Sequence, residues 1–163
     1  MEPEEYNKAY EEMLLKYNWQ WFGSFAIPSE EYQRGYLKRV RFTRKHKIGC
    51  PEAEFYLKQW RIKMAIHEHI LIAYMGVFNT VPQPHIHLLL CGKRNRFGKT
   101  LMNLKPKDWQ TGWADITHCK AVIEPIYERG GVATYIAKKN LPWDRSELIQ
   151  PYNKRLLDKA MVG

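Results

Sequence analysis

The sequence lacks the features of membrane-spanning and secreted proteins. It contains no run of 18 or more apolar residues, and its most apolar segment, Ile70 to Phe78, has the length of one buried strand. The amino-terminal residues MEPEEYNKAYEEMLL are acidic and lack the basic and apolar regions of a signal peptide. We therefore expect a cytoplasmic protein without a membrane anchor.

The sequence is also short and poor in cysteine. Its 163 residues fit one ordinary domain and leave no room for a second catalytic module such as an ATPase motor. The three cysteines, Cys50, Cys91 and Cys119, are widely spaced and include no CxxC pair. We expect them to be reduced, buried thiols rather than the ligands of a zinc cluster.

Positive charge is in clear excess. The chain has 26 Lys and Arg residues against 17 Asp and Glu residues, which gives a formal net charge of +9. This excess favours an anionic partner, with nucleic acid ahead of an anionic membrane surface. Hydrophobic residues make up 45% of the chain and aromatic residues 13%, too rich a supply of core-forming residues for a disordered basic tail. The composition predicts a folded basic domain.

The order of apolar patterns and helix breakers predicts a single α+β domain over residues 1–163, with a central antiparallel sheet flanked by helices. Strands are expected at 18–27, 70–78, 86–91 and 121–126, with NTVPQP joining the second and third as a hairpin. Helices are expected at 1–17, after Ser29, at 52–65, at 106–113 and at 132–140. The carboxy-terminal extension, 141–163, shows no clear periodicity.

A pair of histidines begins one of the predicted strands, in the segment PQPHIHLLL. His85 and His87 are two residues apart, so the period of a strand places both rings on one face and sends Ile86 and Leu88 into the core. Two imidazoles on one face can hold one divalent cation and leave open positions for substrate oxygens. The pair is therefore a candidate metal site.

A tyrosine and a lysine lie on one face of a later predicted helix, in GGVATYIAKKN. Tyr135 and Lys138 are three residues apart, which makes them neighbours on a helix. A nearby ammonium lowers the pKa of a tyrosine from about 10 and can also neutralise the oxygens of a scissile phosphate. A Tyr-x-x-Lys pair is by itself more often structural, so its interpretation depends on the histidines.

The segments FGSFAI, PHIHLLL and YIAKK, in that order, resemble the HUH endonuclease family, in particular the single-tyrosine initiators of rolling-circle replication in plasmids and small viruses. The resemblance spans residues 19–140. It implies a ferredoxin-like or RRM-like sheet flanked by helices, with Mg²⁺ or Mn²⁺ on His85 and His87. It also implies that Tyr135 attacks single-stranded DNA with Lys138 as a helper. Expected partners are single-stranded DNA or an origin hairpin, with a host helicase and polymerase in the host cytoplasm.

The chain departs from the family pattern at the third metal ligand. Many relatives supply an acidic ligand from the strand before the histidines, but a hairpin centred in NTVPQP places Gly76, Val77 and Phe78 opposite them. None of these side chains coordinates a metal. The open candidates are Asn79, Gln83, Glu68, Glu128 and a residue beside Tyr135. YIAKK also lacks a second tyrosine after the lysine, which disfavours a two-tyrosine mechanism.

Two basic segments are candidate DNA contacts. The loop GKRNRFGKT imitates a phosphate-binding loop, but five residues rather than four separate its glycines, which disfavours nucleotide hydrolysis. We expect its cations to follow a phosphate backbone and its aromatic ring to stack on a base. The predicted contacts are Lys93, Arg94, Arg96 and Phe97 in this loop, Arg41, Arg44 and Lys45 in the basic run 38–47, and Lys139. A solvated surface is the alternative for both segments.

These observations together predict a sequence-specific, metal-dependent endonuclease that nicks and rejoins single-stranded DNA through a 5′-phosphotyrosine and so initiates rolling-circle DNA replication. One alternative is a single-strand DNA transposase or a conjugative relaxase of the same superfamily. Another is a non-catalytic basic nucleic-acid-binding module, whose histidines hold a structural ion or none. Only the enzymes form DNA linked to tyrosine.

Overall fold

The apolar segment HIHLLLCG forms the central strand of a five-stranded antiparallel sheet. Its residues from Leu88 to Cys91 are buried, because a strand in this position is covered on both faces. The computed structural model describes residue 12 and residues 15–28, 50–79, 84–127 and 146–159. Within these ranges the chain forms one α+β domain with a five-stranded sheet and three helices, which confirms the predicted fold class.

The elements follow one another as β1 (Trp21–Ala26), α1 (Cys50–Glu68), β2 (Ile72–Asn79), β3 (His85–Gly92), α2 (Pro106–Thr117), β4 (Ala121–Pro125), β5 (Ser146–Tyr152) and α3 (Lys154–Lys159). A single 3-10 turn, Leu101–Asn103, lies between β3 and α2. The strand order is β4-β1-β3-β2-β5, and neighbouring strands are antiparallel. The predicted pairing of the second and third strands is therefore present as β2 and β3.

Four aromatic side chains hold helices α1 and α2 against one face of the sheet. Phe25 of β1 makes edge-to-face contacts with Trp60 of α1 and Trp113 of α2, each at 5.0 Å between ring centroids. Trp60 also contacts Trp109 at 5.5 Å, and its indole N–H donates to the carbonyl oxygen of Trp109 at 3.0 Å. Ring pairs of this kind contribute about 0.5–1.5 kcal/mol each beyond the burial of their surface. All four rings are fully buried, so this face carries the main core.

The opposite face carries a second, smaller core. Leu89 and Cys91 of β3 pack there with Trp19, which precedes β1, and with Leu156 and Leu157 of α3. Leu89 and Cys91 alternate with the residues that face the tryptophans, as the period of a strand requires. The sheet is therefore covered on both faces at this end of β3.

The cysteines that the structure describes are free thiols. Cys91 is buried and Cys119 is half-buried. Burial raises the pKa of the Cys91 thiol to about 12 and also raises the pKa of Cys119. A protonated thiol is a poor nucleophile and a poor metal ligand, so neither side chain is prepared for those roles at neutral pH. The side chain of Cys50 lies outside the described part of the chain.

Two elements differ from the sequence prediction. Helix α1 continues to Glu68, about one turn past the predicted end, and stops where His69 adopts a left-handed backbone with a φ of 53°. Strand β5 lies within the predicted carboxy-terminal extension and pairs with β2 at the edge of the sheet. Its sequence, SELIQPY, lacks regular alternation and contains Pro151, which an edge strand tolerates. The sequence pattern therefore did not reveal this strand.

Three predicted helices lie largely or wholly outside the described residues. They are the helix at 1–17, the helix after Ser29 and the helix at 132–140. Of the first, residues 12 and 15–17 are described; Glu12 and Leu15 are helical, whereas Lys16 and Tyr17 are not, so the helix ends before the predicted residue. These helices stay predictions, and the last of them is the one that carries Tyr135. None of the described helices is long and apolar enough to cross a membrane.

Gly76 of β2 faces Leu88 of β3 where the two strands leave no room for a side chain. A methyl group on Gly76 would meet the carbonyl oxygen of His87 and would lie 2.6 Å from Cδ2 of Leu88. We expect Gly76→Ala to lower the free energy of unfolding by about 1–3 kcal/mol, because overpacking forces the backbone to shift. Urea denaturation followed by tryptophan fluorescence measures this change.

The control for this variant is Val122→Ala. Val122 is 40% exposed on the edge strand β4, so its truncation should change the free energy of unfolding by less than about 0.5 kcal/mol. A Gly76→Ala protein as stable as the wild type would contradict the expectation, since it would show that β2 and β3 separate without cost.

Candidate functional site

His85 and His87 lie on the same face of β3, which confirms the sequence prediction. Their ring centroids are 4.9 Å apart, and the rings are nearly perpendicular at 78°. Ile86 and Leu88 point to the opposite face and are fully buried in the main core. Both imidazoles are half-buried. At this separation two ring nitrogens can approach one ion, since a bond from imidazole to a zinc ion is about 2.0–2.1 Å long.

Strand β1 orients the ring of His87. Ser24 is paired with His87 in the sheet, and its Oγ lies 3.0 Å from Nδ1 of the imidazole. Phe22, on the same face, stacks on the ring with 5.8 Å between centroids and 14° between planes. When Nδ1–H donates to the Ser24 hydroxyl, Nε2 carries the lone pair that a cation accepts. Sequence reasoning missed both residues, although Ser24 is the one polar side chain in the strand WFGSFA.

The surroundings of His87 keep its imidazole uncharged at neutral pH. Burial, and secondarily the nearby His85, lower the pKa of His87 from 6.5 to about 4. A neutral imidazole has a free nitrogen lone pair, which an imidazolium lacks. His87 can therefore bind a cation without first losing a proton.

Asn79 lies opposite His85 in the sheet. The register pairs Asn79 with His85 and Val77 with His87, one residue away from the predicted pairing, which placed Phe78 there. Strand β2 continues to Asn79. Because side chains alternate along a strand, a register that differs by one residue brings the other set of β2 side chains to the histidine face. Phe78 accordingly lies in the main core, whereas Asn79, which is 6% exposed, shares the face of the histidines. Its amide oxygen can serve as a third ligand.

The structure excludes one of the other residues considered as a third ligand. Glu68 ends α1 at the far end of β3, where its carbonyl oxygen accepts a hydrogen bond from the Asn95 amide at 3.2 Å. Gln83 and Glu128 lie outside the described residues. Glu124, which sequence reasoning did not single out, is an exposed carboxylate on the histidine face, two strands away from β3.

The described donors form a site with few protein ligands. No three His, Cys, Asp or Glu side chains come together as a metal-binding group in the described ranges. Of the third ligands considered from the sequence, Asn79 is the one that the described strands pair with a histidine. Two imidazoles and an amide oxygen suit a first-row divalent ion such as Mn²⁺ better than Mg²⁺, which prefers carboxylate and water oxygens. The donor set fits a weakly held cation with open positions for substrate oxygens.

The predicted DNA contacts in the loop after β3 lie far from the histidines. Lys93, Arg94, Arg96 and Phe97 are exposed at the opposite end of the strand. Residues along a strand rise by about 3.3 Å each, so the length of β3 separates its two ends by about 23 Å. The structure therefore does not bring this loop and the histidines into one site.

The other predicted site residues lie outside the described part of the chain. They are Tyr135, Lys138 and Lys139 of YIAKK, and Arg41, Arg44 and Lys45 of the basic run. No protein-family model matches the chain, and neither a curated protein nor a solved structure matches it. Function is therefore inferred from the residues of this chain and from the resemblance that they carry.

The low pKa of His87 predicts a loss of stability in acid. The unfolded chain protonates this histidine below about pH 6.5, whereas the folded protein protonates it only below about pH 4. The free energy of unfolding should therefore fall by up to about 1.4 kcal/mol per pH unit between these values, by about 3 kcal/mol in all. Above pH 6.5 this histidine should have no effect. Urea denaturation at a series of pH values, with EDTA present, measures the loss.

Two histidine variants identify the group responsible. His87→Gln should lose this part of the acid dependence, because glutamine does not titrate. His67→Gln, a change in the last turn of α1, should retain it, because it leaves His87 and its neighbours in place. Equal acid dependence in the wild type and in His87→Gln would show that His87 has an ordinary pKa in the folded protein.

Proposed function

We propose that this protein is a metal-dependent endonuclease that nicks and rejoins single-stranded DNA at an origin and so initiates rolling-circle replication. The main support is the His85–His87 pair, whose rings share one half-buried face while His87 is uncharged at neutral pH. The net charge of +9 favours nucleic acid as the substrate. The order of FGSFAI, PHIHLLL and YIAKK, which resembles HUH endonucleases, favours this particular chemistry.

In the proposed reaction the chain supplies the nucleophile. The phenol oxygen of Tyr135 attacks the scissile phosphorus, the bond from phosphorus to the 3′ oxygen breaks, and this oxygen leaves as a 3′-hydroxyl. The 5′ phosphate stays on Tyr135 as an ester, which conserves the bond energy for rejoining by the reverse attack. Lys138 supplies a positive charge that stabilises the phenolate and the phosphate oxygens.

His85 and His87 would hold a divalent cation, Mg²⁺ or Mn²⁺, with Asn79 beside them. When bound, the cation would polarise a non-bridging oxygen of the scissile phosphate and withdraw negative charge. The Ser24 hydroxyl supports this arrangement, because a proton shared with Nδ1 of His87 leaves Nε2 for the cation. Both histidines are partly exposed among the described residues, which is consistent with a phosphate approaching them.

We propose unpaired DNA as the substrate. The tyrosine has to approach one phosphate in line from this surface, and a relaxed duplex hides that geometry. An origin hairpin would present unpaired nucleotides next to a stem. A host helicase and polymerase in the host cytoplasm would then extend the free 3′ end.

A transposase or relaxase of the same superfamily would act on transposon ends or a transfer origin instead.

A non-catalytic nucleic-acid-binding domain is the second candidate function. It is favoured by one observation, that the described ranges bring no acidic third ligand to the two histidines. In this alternative the histidines hold a structural ion or none, and the basic segments account for binding. The covalent intermediate distinguishes the two candidates, because a binding domain forms no bond to DNA.

Attachment of DNA to Tyr135 tests the proposed reaction. The protein is incubated with random single-stranded oligonucleotides and Mn²⁺, and peptide mass spectrometry locates any nucleotide adduct. The wild type should carry the adduct on Tyr135, and Tyr135→Phe should bind DNA normally but carry none. His85→Ala and His87→Ala should each reduce adduct formation at limiting Mn²⁺ by more than about 100-fold, because losing a partner outside the ligand shell already costs about 10- to 100-fold.

The control for the alanine variants is His67→Ala, since His67 is exposed on α1 and lies outside the site. It should form the adduct at the wild-type rate. If the wild type forms no adduct with any divalent cation, the binding domain becomes the better description. If the adduct forms on another tyrosine, the nucleophile is not Tyr135.

Substitutions of Asn79 should change the affinity for a cation by different amounts. Asn79→Asp places a carboxylate oxygen where the amide oxygen lies and should bind Mn²⁺ at least as tightly as the wild type. Asn79→Ala removes this oxygen and should weaken Mn²⁺ binding by about 10-fold or more. Isothermal titration calorimetry with Mn²⁺ measures both affinities, after thermal melting confirms that the variants fold. Equal affinity in the alanine variant and the wild type would remove Asn79 from the site.

A further inference from the structure

The loop after β3 is a turn built around one asparagine. The carbonyl oxygen of the Asn95 side chain accepts hydrogen bonds from the backbone N–H groups of Phe97 at 2.9 Å and Lys99 at 3.0 Å. Its amide nitrogen donates to the carbonyl oxygen of Glu68 at the end of α1. Gly98 accommodates the turn with a φ of 79°. These hydrogen bonds brace the loop backbone and tie it to the end of α1.

The tip of this loop presents an exposed aromatic ring next to a cation. Phe97 is 61% exposed, although Asn95 keeps the backbone around it in place. The Arg96 guanidinium lies 4.8 Å from the centre of the Phe97 ring, and the ring of His69 meets it edge to face at 6.0 Å. Exposed aromatic rings and guanidinium groups are the surfaces on which unpaired bases stack.

The loop segment itself carries charge of one sign, although Glu68 lies next to it at the end of α1. From residue 93 to residue 107 the sequence contains no Asp or Glu. The exposed cations of this stretch are Lys93, Arg94, Arg96, Lys99, Lys105 and Lys107. Neighbouring like charges repel one another, and the negative charges of a phosphate backbone relieve this repulsion. Binding also releases the counterions of the backbone, which favours the complex. The combination of positive charge with an exposed ring fits a nucleic-acid strand better than a protein partner.

We propose that residues 93–99 together with His69, which we call the loop surface, form a second binding site for unpaired nucleic acid, separate from the histidine site. Phe97 would stack on a base, while Arg94 and Arg96 would contact phosphates. The loop surface lies at the opposite end of β3, about 23 Å from His85 by the rise of a strand. Single-strand sites commonly cover about 4–16 nucleotides, so one unpaired strand is long enough to contact both sites.

The proposed loop surface depends on the proposed function in one respect only, namely that the bound strand is the DNA that is cleaved. Binding itself requires neither a cation nor Tyr135. It is therefore measured in EDTA, by fluorescence anisotropy with a labelled oligothymidylate of about 20 nucleotides, which covers the usual length of a single-strand site. A protein that forms no adduct on Tyr135 but shows the expected binding changes would contradict the proposed nuclease and leave the loop surface intact.

Removing the two arginine charges should change the salt dependence of binding. If Arg94 and Arg96 each contact one phosphate, the double variant Arg94→Gln, Arg96→Gln should flatten the slope of log affinity against log salt by about 1.4. The matched control is the double variant Lys58→Gln, Lys63→Gln, which removes two exposed charges from α1. It should leave the slope within error of the wild type. Equal slopes in all three proteins would overturn the proposed phosphate contacts.

Removing the aromatic ring should weaken binding in a different way. Phe97→Ala should lower the affinity about 5- to 150-fold with little change in salt slope, because stacking on one base contributes about 1–3 kcal/mol. Phe97→Trp keeps an aromatic ring and should bind with the affinity of the wild type. The control is Met102→Ala, which truncates an apolar side chain 41% exposed in the neighbouring 3-10 turn. Wild-type affinity in Phe97→Ala, or an equal loss on a blunt duplex, would overturn the assignment to unpaired bases.

Discussion

The burial of strand β3 on both faces is the constraint on which the rest of the structure depends. Its alternation sends Ile86 and Leu88 among the tryptophans of α1 and α2, and the same alternation sends His85 and His87 to the other face. A slip of one residue would bury the imidazoles in the main core and turn Ile86 and Leu88 to the half-buried positions that the histidines occupy. The packing of Ile86 and Leu88 in the main core therefore decides which face of the sheet carries the two histidines.

The strands on either side of β3 complete the site through the same register. Strand β1 places Ser24 beside His87, and strand β2 places Asn79 beside His85. The close approach of β2 depends on Gly76, because any larger residue would meet the backbone of His87. Packing and function are thus coupled in this sheet: a change that moves the strands apart also moves the donors around the histidines.

The two ends of β3 present different chemistry. At one end an uncharged His87 and its neighbours are half-buried and suited to a cation and a phosphate. At the other end exposed cations surround Phe97 on a turn held by Asn95. In the proposed scheme the charged end supplies most of the affinity for a strand, since phosphate contacts dominate nucleic-acid binding. In the same scheme the histidine end would hold the cation that the reaction uses.

Local patterns were enough to predict the fold class, β1, the β2–β3 pair, α2 and β4. The shared face of His85 and His87 also followed from the sequence alone, because it depends only on the period of a strand. Strand β5 and the register of β2 did not, because strand pairing depends on contacts between residues distant in sequence. A register one residue from the predicted one placed Asn79, rather than Phe78, beside His85.

The surroundings of the histidines likewise depend on the tertiary structure. The hydroxyl that orients His87 belongs to Ser24, 63 residues earlier in the chain, and the burial that lowers the pKa of His87 comes from neighbouring strands. The sequence identified the cations of the loop after β3 but not their distance from the histidines. That distance was decided by the length of β3, whose two ends hold the two groups of side chains apart.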